Sequence, residues 1–426
     1  ATQVTNDKRD KTNTVTNPLK EINPTKDVTV QVGGDSIDGK SVYLNHTFLY
    51  RLDSSILPPD RAYQTVTDWG GTDQLNTEYD QYLGNWAVYA SRDLYRDGQM
   101  LAAKGEKIAG SGFDSSKFGG NLFTVDADDN GKVTADATQA YLDLVSADNE
   151  HEAGWVLYLQ CKRIAVADEV PNTWTETING QPRESNKVVT KTPDMTPSIH
   201  LEKVDTPTLK QEGQEQADRD DPKQALKMDA DSIGITFIIT NTSKTDPATG
   251  DGAWYKASDL NLADSTIVGD AHVDMDSLTY PADWDTLVLK PGESVSVTGT
   301  LKGVKEGETH TDRAIVTGTP LVECAPSNGD PFNDKTDGGE DTDPEYSTGD
   351  VTEIDGKQLC ADTQTASNTD DWNGYRAKPL ASTGVAVLGL AGGALAVLLA
   401  GGSLLVFRKR HYAQGSGRHT AVNAGK

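Results

Sequence analysis

Apolar and polar positions alternate with a period of two along much of the chain. Three stretches show it best: Val42-Tyr43-Leu44-Asn45-His46-Thr47-Phe48-Leu49-Tyr50, Trp86-Ala87-Val88-Tyr89-Ala90 and Trp155-Val156-Leu157-Tyr158-Leu159-Gln160-Cys161. Strands that bury one face read this way. Ile235, Phe237 and Ile239 repeat the pattern further on, as do Val295 and Val297. Turn formers separate the runs, at Asp35 to Gly39, at Asp97-Gly98 and at Leu289-Lys290-Pro291-Gly292-Glu293-Ser294. One helix is predicted, from Ala135 to about Ser146, with Thr134 as N-cap and Ala140, Leu144 and Val145 on its apolar side. The pattern predicts a mainly β chain of tandem sandwiches, with residues 20–193 as one domain and residues 195–320 as an Ig-like second. Residues 206–230 read as a polar, charged insertion with a short helix at most.

Two later stretches depart from alternation. Between Asp330 and Asp371 there are 13 acidic residues against two lysines. Such a segment has too little apolar surface to offset its chain entropy, which predicts an acidic linker over residues 321–379. Cys324 and Cys360 fall inside it, and pairing them in an oxidising exterior would close a loop worth roughly 3–4 kcal/mol. Cys161, in register with Trp155, Leu157 and Leu159, reads as a small buried apolar residue. The second departure is the run from Val385 to Phe407, 23 residues without a charge. As a helix it is long enough for a hydrocarbon core of ~30 Å. Arg408-Lys409-Arg410 follows, so residues 408–426 are expected as a basic cytoplasmic tail, with everything before the span outside.

A chain of 426 residues has room for two or three domains. Its net charge of −26 argues against nucleic-acid binding, which needs clustered Lys and Arg, and suits a self-repelling extracellular surface. Three cysteines are too few for a disulfide scaffold. Asp126-Ala127-Asp128-Asp129-Asn130-Gly131 resembles the start of an EF-hand loop, but position 12 would be Ala137 and not a bidentate Glu. No metal or cofactor is assigned. No Gly-x-Ser-x-Gly is present, and His151-Glu152 leads into Ala-Gly-Trp without a second His at zinc-binding spacing.

Leu380-Ala381-Ser382-Thr383-Gly384 stands directly before the apolar run. It resembles the Leu-Ala-x-Thr-Gly variant of the sortase substrate motif of high-GC Gram-positive bacteria, and the span and basic tail complete a three-part sorting signal. The resemblance implies that a class E-like sortase cleaves between Thr383 and Gly384 and joins Thr383 to peptidoglycan. The membrane-spanning helix over residues 385–407 would then be a temporary stop, as in lipid-anchored precursors. The location implied is secreted and wall-anchored. A start at Ala1-Thr2-Gln3, with neither methionine nor signal peptide, is then expected of the C-terminal portion of a longer secreted chain.

Lys11-Thr12-Asn13-Thr14-Val15-Thr16-Asn17-Pro18 and Glu184-Ser185-Asn186-Lys187-Val188-Val189-Thr190-Lys191-Thr192-Pro193 look like one junction seen twice. Residues 1–19 are thus expected to be the last strand or linker of an upstream domain. Within residues 20–193, a set of motifs resembles the isopeptide-forming adherence domains in the C-terminal region of streptococcal antigen I/II adhesins. They are Asn23-Pro24-Thr25-Lys26-Asp27-Val28-Thr29-Val30, Phe48-Leu49-Tyr50-Arg51-Leu52, Asp60-Arg61-Ala62, Tyr82 to Ala90, Leu157 to Ala165 and Ser185-Asn186-Lys187-Val188-Val189-Thr190. In that family a first-strand lysine bonds covalently to a last-strand asparagine, with an aspartate as catalyst. The resemblance implies Lys26 and Asn186 as the crosslinked pair and Asp73 as the acid, with Asp68 as the fallback. The chemistry is sound from first principles. Burial lowers a lysine pKa, which frees the nucleophilic amine, and keeps an aspartate protonated to polarise the carboxamide. Lys203 opens the next stretch in similar fashion, but no final-strand asparagine matches it and no second bond is assigned.

The reading is a cell-surface adhesin, or its stalk, anchored by sortase and stiffened by a Lys–Asn bond. Its ligand would be a host glycoprotein or another bacterial surface, and its only reaction a single-turnover intramolecular one, hence no enzyme. The alternatives are a fimbrial or pilus subunit, for which no convincing polymerisation lysine motif is present, or the anchor region of a wall-bound hydrolase.

Overall fold

The computed structural model describes strands Thr2–Thr5 and Lys8–Lys11 and residues 22–61, 65–208, 219–332 and 351–379. The expectations placed on the sorting motif, the apolar run and the basic tail lie outside these residues. Among the described residues no helix is long and apolar enough to cross a membrane. Thr2–Thr5 and Lys8–Lys11 pair antiparallel with each other; the rest of residues 1–21 lies outside the described set.

In the first sandwich, one sheet runs in the order Thr25–Thr29, Thr47–Asp53, Trp155–Arg163, Asp80–Ala90, Lys107–Gly110. The other runs Phe123–Ala127, Lys132–Ala137, Trp69–Gln74, Trp174–Ile178, Gln181–Glu184. The inward positions of both sheets, among them Val28, Tyr50, Leu157, Trp69, Phe123 and Trp174, share one core. That shared core is what makes a sandwich stable, since each sheet has one apolar face to bury. Trp155 lies at its centre, 6.2 Å from Trp69 and 5.7 Å from Trp174 between ring centroids.

The helix is shorter and later than its sequence pattern predicts, at Gln139–Ala147. Thr134 and Ala135 are not at a helix start. They pair with Thr72 and Gly71, and the ladder takes precedence because Val133 and Ala135 are buried against the core. Asp126 and Ala127 pair with Thr134 and Val133, and Asp128 to Gly131 is the turn of the hairpin, where the Asp128 carboxylate accepts the backbone N–H groups of Asn130 and Lys132 at 2.9 Å each. Among the described residues no group of His, Cys, Asp or Glu is arranged to hold a metal ion.

The second sandwich pairs Ile199–Asp205, Ser232–Asn241, Ser294–Lys302 and His272–Val273 in one sheet. In its other sheet are Leu226–Met228, Ala366–Arg376, Thr309–Gly318 and Asn261–Val268. The strand Ala366–Arg376 corrects the sequence reading, which assigns residues 321–379 to a linker and ends the domain at 320. It pairs with Thr309–Gly318 from Ala366↔Gly318 to Tyr375↔Thr309, and it sends Trp372 into the core at 0% exposure. Alternation explains why acidity did not prevent folding. Asp371 faces outward and holds Arg313 through two hydrogen bonds of 2.6 and 2.9 Å, so its charge stays solvated and paired.

Leu321–Glu323 pairs with Lys357–Ala361, and a disulfide joins Cys324 to Cys360 with their Cα atoms 5.0 Å apart. Part of the supposed linker also lies on the first sandwich. Phe332 packs among Leu49, Ala87, Val156 and Tyr158, and the Phe332 carbonyl accepts the Lys107 ammonium at 2.6 Å.

Candidate functional site

Strand alternation puts Lys26 and Val28 inward on Thr25–Thr29, the edge strand of its sheet. A buried lysine must find an anion or lose its charge. Here the Lys26 ammonium donates to the Asp73 carboxylate, and the two side chains are 0% and 1% exposed. Asp73 comes from the facing sheet, on the central strand Trp69–Gln74, in register with both Val133 and Trp174. Nζ also sits 4.4 Å from the centre of the Tyr50 ring. Burial pulls the Lys26 pKa down, with Asp73 opposing it. An amine so placed reaches its neutral, nucleophilic form more readily than a surface lysine.

A second buried pair braces the first. Asp80 accepts the Tyr50 hydroxyl at 2.8 Å and lies 2.9 Å from Nε of Arg163, while Arg163 Nη2 donates to Thr190 at 2.6 Å. Tyr50, in contact with Lys26, is thereby fixed to the last strand, Val188–Thr192, through Arg163. This network is not legible from pattern alone, because Asp80 and Arg163 stand at strand ends where a charge reads as solvent-facing.

The structure does not bring Asn186 to the amine. Its carbonyl accepts the Lys26 backbone N–H at 2.8 Å, and its Nδ2 donates to the Lys26 backbone carbonyl at 2.9 Å. Those groups lie along the sheet edge, Asn186 is exposed, and the Lys26 side chain points into the core. Asn186 extends the ladder beside Lys26 and bonds its backbone, not its amine. Asp68 is also displaced. Its carboxylate accepts the Gly180 N–H at 3.1 Å in a turn and has no contact with Lys26.

Asn172 is the carboxamide that sequence reasoning missed. It is 6% exposed, and its Nδ2 is enclosed without a hydrogen-bond partner. One oxygen of Asp73, Oδ1, is likewise enclosed and unbonded. Asn172 ends the strand Ala167–Asn172, which pairs with the last strand through Asn172↔Val188. Two residues on, Trp174 is the register partner of Asp73, and its indole donates to the Thr25 carbonyl at 3.0 Å. The chain at Asn172 is therefore tied both to the acid's strand and to the lysine's strand. Buried polar groups in native proteins are almost always hydrogen-bonded, so an idle carboxamide here needs a reason. Gly71 serves the same packing, since a Cβ there would lie 2.5 Å from the Trp174 ring.

Fold and site together define a β-sandwich with a buried amine and acid, and with an enclosed, unspent carboxamide at the end of the strand Ala167–Asn172. Residues 23–193 match the family model described as cell surface antigen C-terminus. A curated relative, the aggregation substance of Enterococcus faecalis, is 36% identical over 197 residues, a match that takes in 46% of this chain and 14% of that protein. Among solved structures, the C-terminal domain of the Streptococcus pyogenes antigen I/II-family protein AspA is 28% identical, with a TM-score of 0.35 and coverage of 41% of this chain and 47% of that one. The C-terminal domain of the Streptococcus agalactiae AgI/II polypeptide BspA is 23% identical, with a TM-score of 0.35 and coverage of 40% and 50%. Overlaps of that size carry no argument of their own. The sequence matches do: residues 23–193 are similar to the C-terminal part of cell surface antigens, and the chain spans only a small part of the aggregation substance it matches.

Proposed function

We propose that this chain is the anchor-proximal stalk of a Gram-positive surface adhesin, stiffened by an amide formed between Lys26 and Asn172. One observation carries the reading: a fully buried lysine bound to a buried acid, beside a strand that ends in an enclosed carboxamide with no hydrogen-bond partner. Neutral Nζ attacks Cγ of Asn172. Asp73, hydrogen-bonded to that nitrogen, moves the proton to the departing amide nitrogen, and ammonia leaves. The bond closes a loop of 146 residues, counted from 26 to 172, worth about 5 kcal/mol in the chain-entropy model. A single intramolecular turnover is no enzyme activity. Leu380 to Gly384 would be cleaved by a sortase and Thr383 joined to peptidoglycan, so that pulling force enters at the C-terminal end. The ligand would be a host or bacterial surface molecule bound elsewhere on the longer protein.

Peptide mapping of the purified chain tests it. The Lys26 and Asn172 peptides should appear as one branched species, lighter by one ammonia, lost in Lys26→Ala and Asn172→Ala and kept in Asn186→Ala. Separate, unshifted peptides from folded protein would remove the proposal. A branch to Asn186 would reinstate the acceptor suggested by sequence.

A further inference from the structure

A short segment that leaves the second sandwich reaches back onto the first. Its root is Leu321–Glu323, held by the ladder with Lys357–Ala361, by the Trp254↔Leu321 bridge and, one residue on, by the Cys324–Cys360 disulfide. From there residues 325–332 run onto the outer face of the first sandwich. Phe332, 2% exposed, packs among Leu49, Ala87, Val156 and Tyr158. Those side chains come from three adjacent strands, Thr47–Asp53, Trp155–Arg163 and Asp80–Ala90. Alternation turns them away from the core, which takes Tyr50, Val88 and Leu157 instead. An apolar patch on the outside of a sheet has to be covered, and Phe332 is seated on this one.

Polar contacts hold the segment on both sides of the ring. Gln160, itself gripped by Asn85 at 2.7 Å, donates to the Gly329 carbonyl at 3.0 Å. The Ser111 hydroxyl donates to the Asp330 carboxylate at 3.3 Å, and the Lys107 ammonium to the Phe332 carbonyl at 2.6 Å. The segment is shaped for this seat by its own turns. Ser327 Oγ accepts the Gly329 N–H at 3.0 Å, and Asp330 Oδ1 accepts the Phe332 N–H at 2.9 Å. A separate contact joins the Tyr43 hydroxyl of the first sandwich to Asp251 of the second at 2.9 Å, with Lys357 on the same carboxylate.

Residues 193–198 connect the last strand of the first sandwich to the opening strand of the second. Tyr43 lies beside that connection, because its neighbour Val42 donates its N–H to the Lys191 carbonyl at 2.8 Å. Connection and Tyr43 contact together therefore make a hinge, about which the sandwiches could still turn. The Phe332 seat lies elsewhere, centred on Trp155–Arg163, the middle strand of its sheet. An attachment away from the hinge removes the remaining freedom. We propose that residues 325–332 are a latch that fixes the angle between the two sandwiches, with Phe332 as its catch and the Cys324–Cys360 disulfide as its root. Turning the sandwiches apart would draw Phe332 from its seat and expose apolar surface on both sides. The root cannot follow, since crosslink and ladder hold it to the second sandwich. The latch lies outside both cores, so opening it alters orientation and leaves each sandwich folded. It acts whether or not an amide forms at Lys26.

Single-molecule energy transfer in the full chain reads the angle, between dyes at the exposed positions Asp129→Cys on the first sandwich and Asp285→Cys on the second. Cys161 is buried and the other two cysteines are bonded, so the added thiols take the dyes. With no further change, one narrow distance population is expected. Phe332→Ala should add a broad second population and raise the fraction of open molecules roughly tenfold, whereas Phe332→Leu, which still fills the seat, should keep most molecules closed. Cys324→Ser combined with Cys360→Ser should raise the open fraction by a smaller factor. Calorimetry of the same samples shows that both sandwiches remain folded. A broad distribution without the latch variants, or an unchanged narrow one in folded Phe332→Ala, would overturn the latch. An unchanged distribution in the double serine variant would overturn the disulfide as its root.

Discussion

The two sandwiches use the same layout and complete it with different chemistry. Each opens on a strand that buries one lysine, Lys26 or Lys203. In each, a side chain from near the domain's end accepts that lysine's backbone N–H, Asn186 at 2.8 Å and Asp370 at 2.6 Å. What faces the amine differs. In the first domain it is one carboxylate, with an idle carboxamide nearby; in the second it is two carboxylates. Under the proposed first-domain crosslink the leaving group would be ammonia, whereas the second amine faces carboxylates alone, Asp264 and Asp312. It also separates two roles the sequence conflates, since the asparagine nearest the lysine's backbone is a ladder partner and the proposed acceptor is the one whose hydrogen bonds are unspent.

The sharpest test of the comparison is to remove each lysine in turn. Lys26→Met forfeits the proposed crosslink, worth about 5 kcal/mol, and removes the hydrogen-bond partner of the buried Asp73. Lys203→Met takes the shared partner from the buried Asp264 and Asp312, so a loss is expected there as well. Differential scanning calorimetry should show each variant lowering the melting of its own sandwich and sparing the other, as distant sites do. If both transitions fell together in either variant, the domains would be one cooperative unit and the comparison would fail. A smaller effect distinguishes the pair another way. Cys324→Ser should cost the second sandwich roughly 3–4 kcal/mol of loop entropy and leave the first unchanged, read in the same scans.

Lys26 and Asp73 were reachable only through the resemblance to the antigen I/II adherence domains, and strand alternation then accounts for the inward place of Lys26. Asn172 was not. It follows Pro171 in a polar run, Ala167–Asn172, and only packing reveals that its amide is enclosed. Asp264 was equally hidden, on a strand whose other residues are mostly exposed. The end of the second domain was misread for a related reason. Ala366–Arg376 offers a single large apolar side chain to the core, Trp372, and partners its acidic residues one by one. A composition average over that stretch reports disorder, whereas its ladder with Thr309–Gly318 supplies the backbone hydrogen bonds that stabilise it. What the sequence could not convey was pairing over long separations, which decides both domain limits and acceptor identity.

The two backbone partners give the smallest and most discriminating effects. Asn186→Ala removes both hydrogen bonds to Lys26 and should cost about 1–3 kcal/mol, measured as a urea midpoint, without loss of the branched Lys26 peptide.

Asp370 behaves differently, because burial, with the charges of Asp220 and Glu202 adding, raises its carboxyl to about 8 from an ordinary value of 3.8. It is therefore mostly protonated at neutral pH and already resembles an amide. A group whose folded pKa is raised contributes stability that is complete below its unfolded value and is lost as pH climbs through the folded one. Wild type should therefore lose this contribution between pH 4 and about 8. Asp370→Asn keeps the acceptor for the Lys203 N–H and has nothing to titrate. The variant should match wild type in acid, gain on it steadily up to about pH 8, and hold a constant lead above. Urea midpoints at successive pH values read this directly. A difference that stayed flat, or ran the other way, would mean that Asp370 is ionised in the fold, and the parallel with the uncharged Asn186 would be lost.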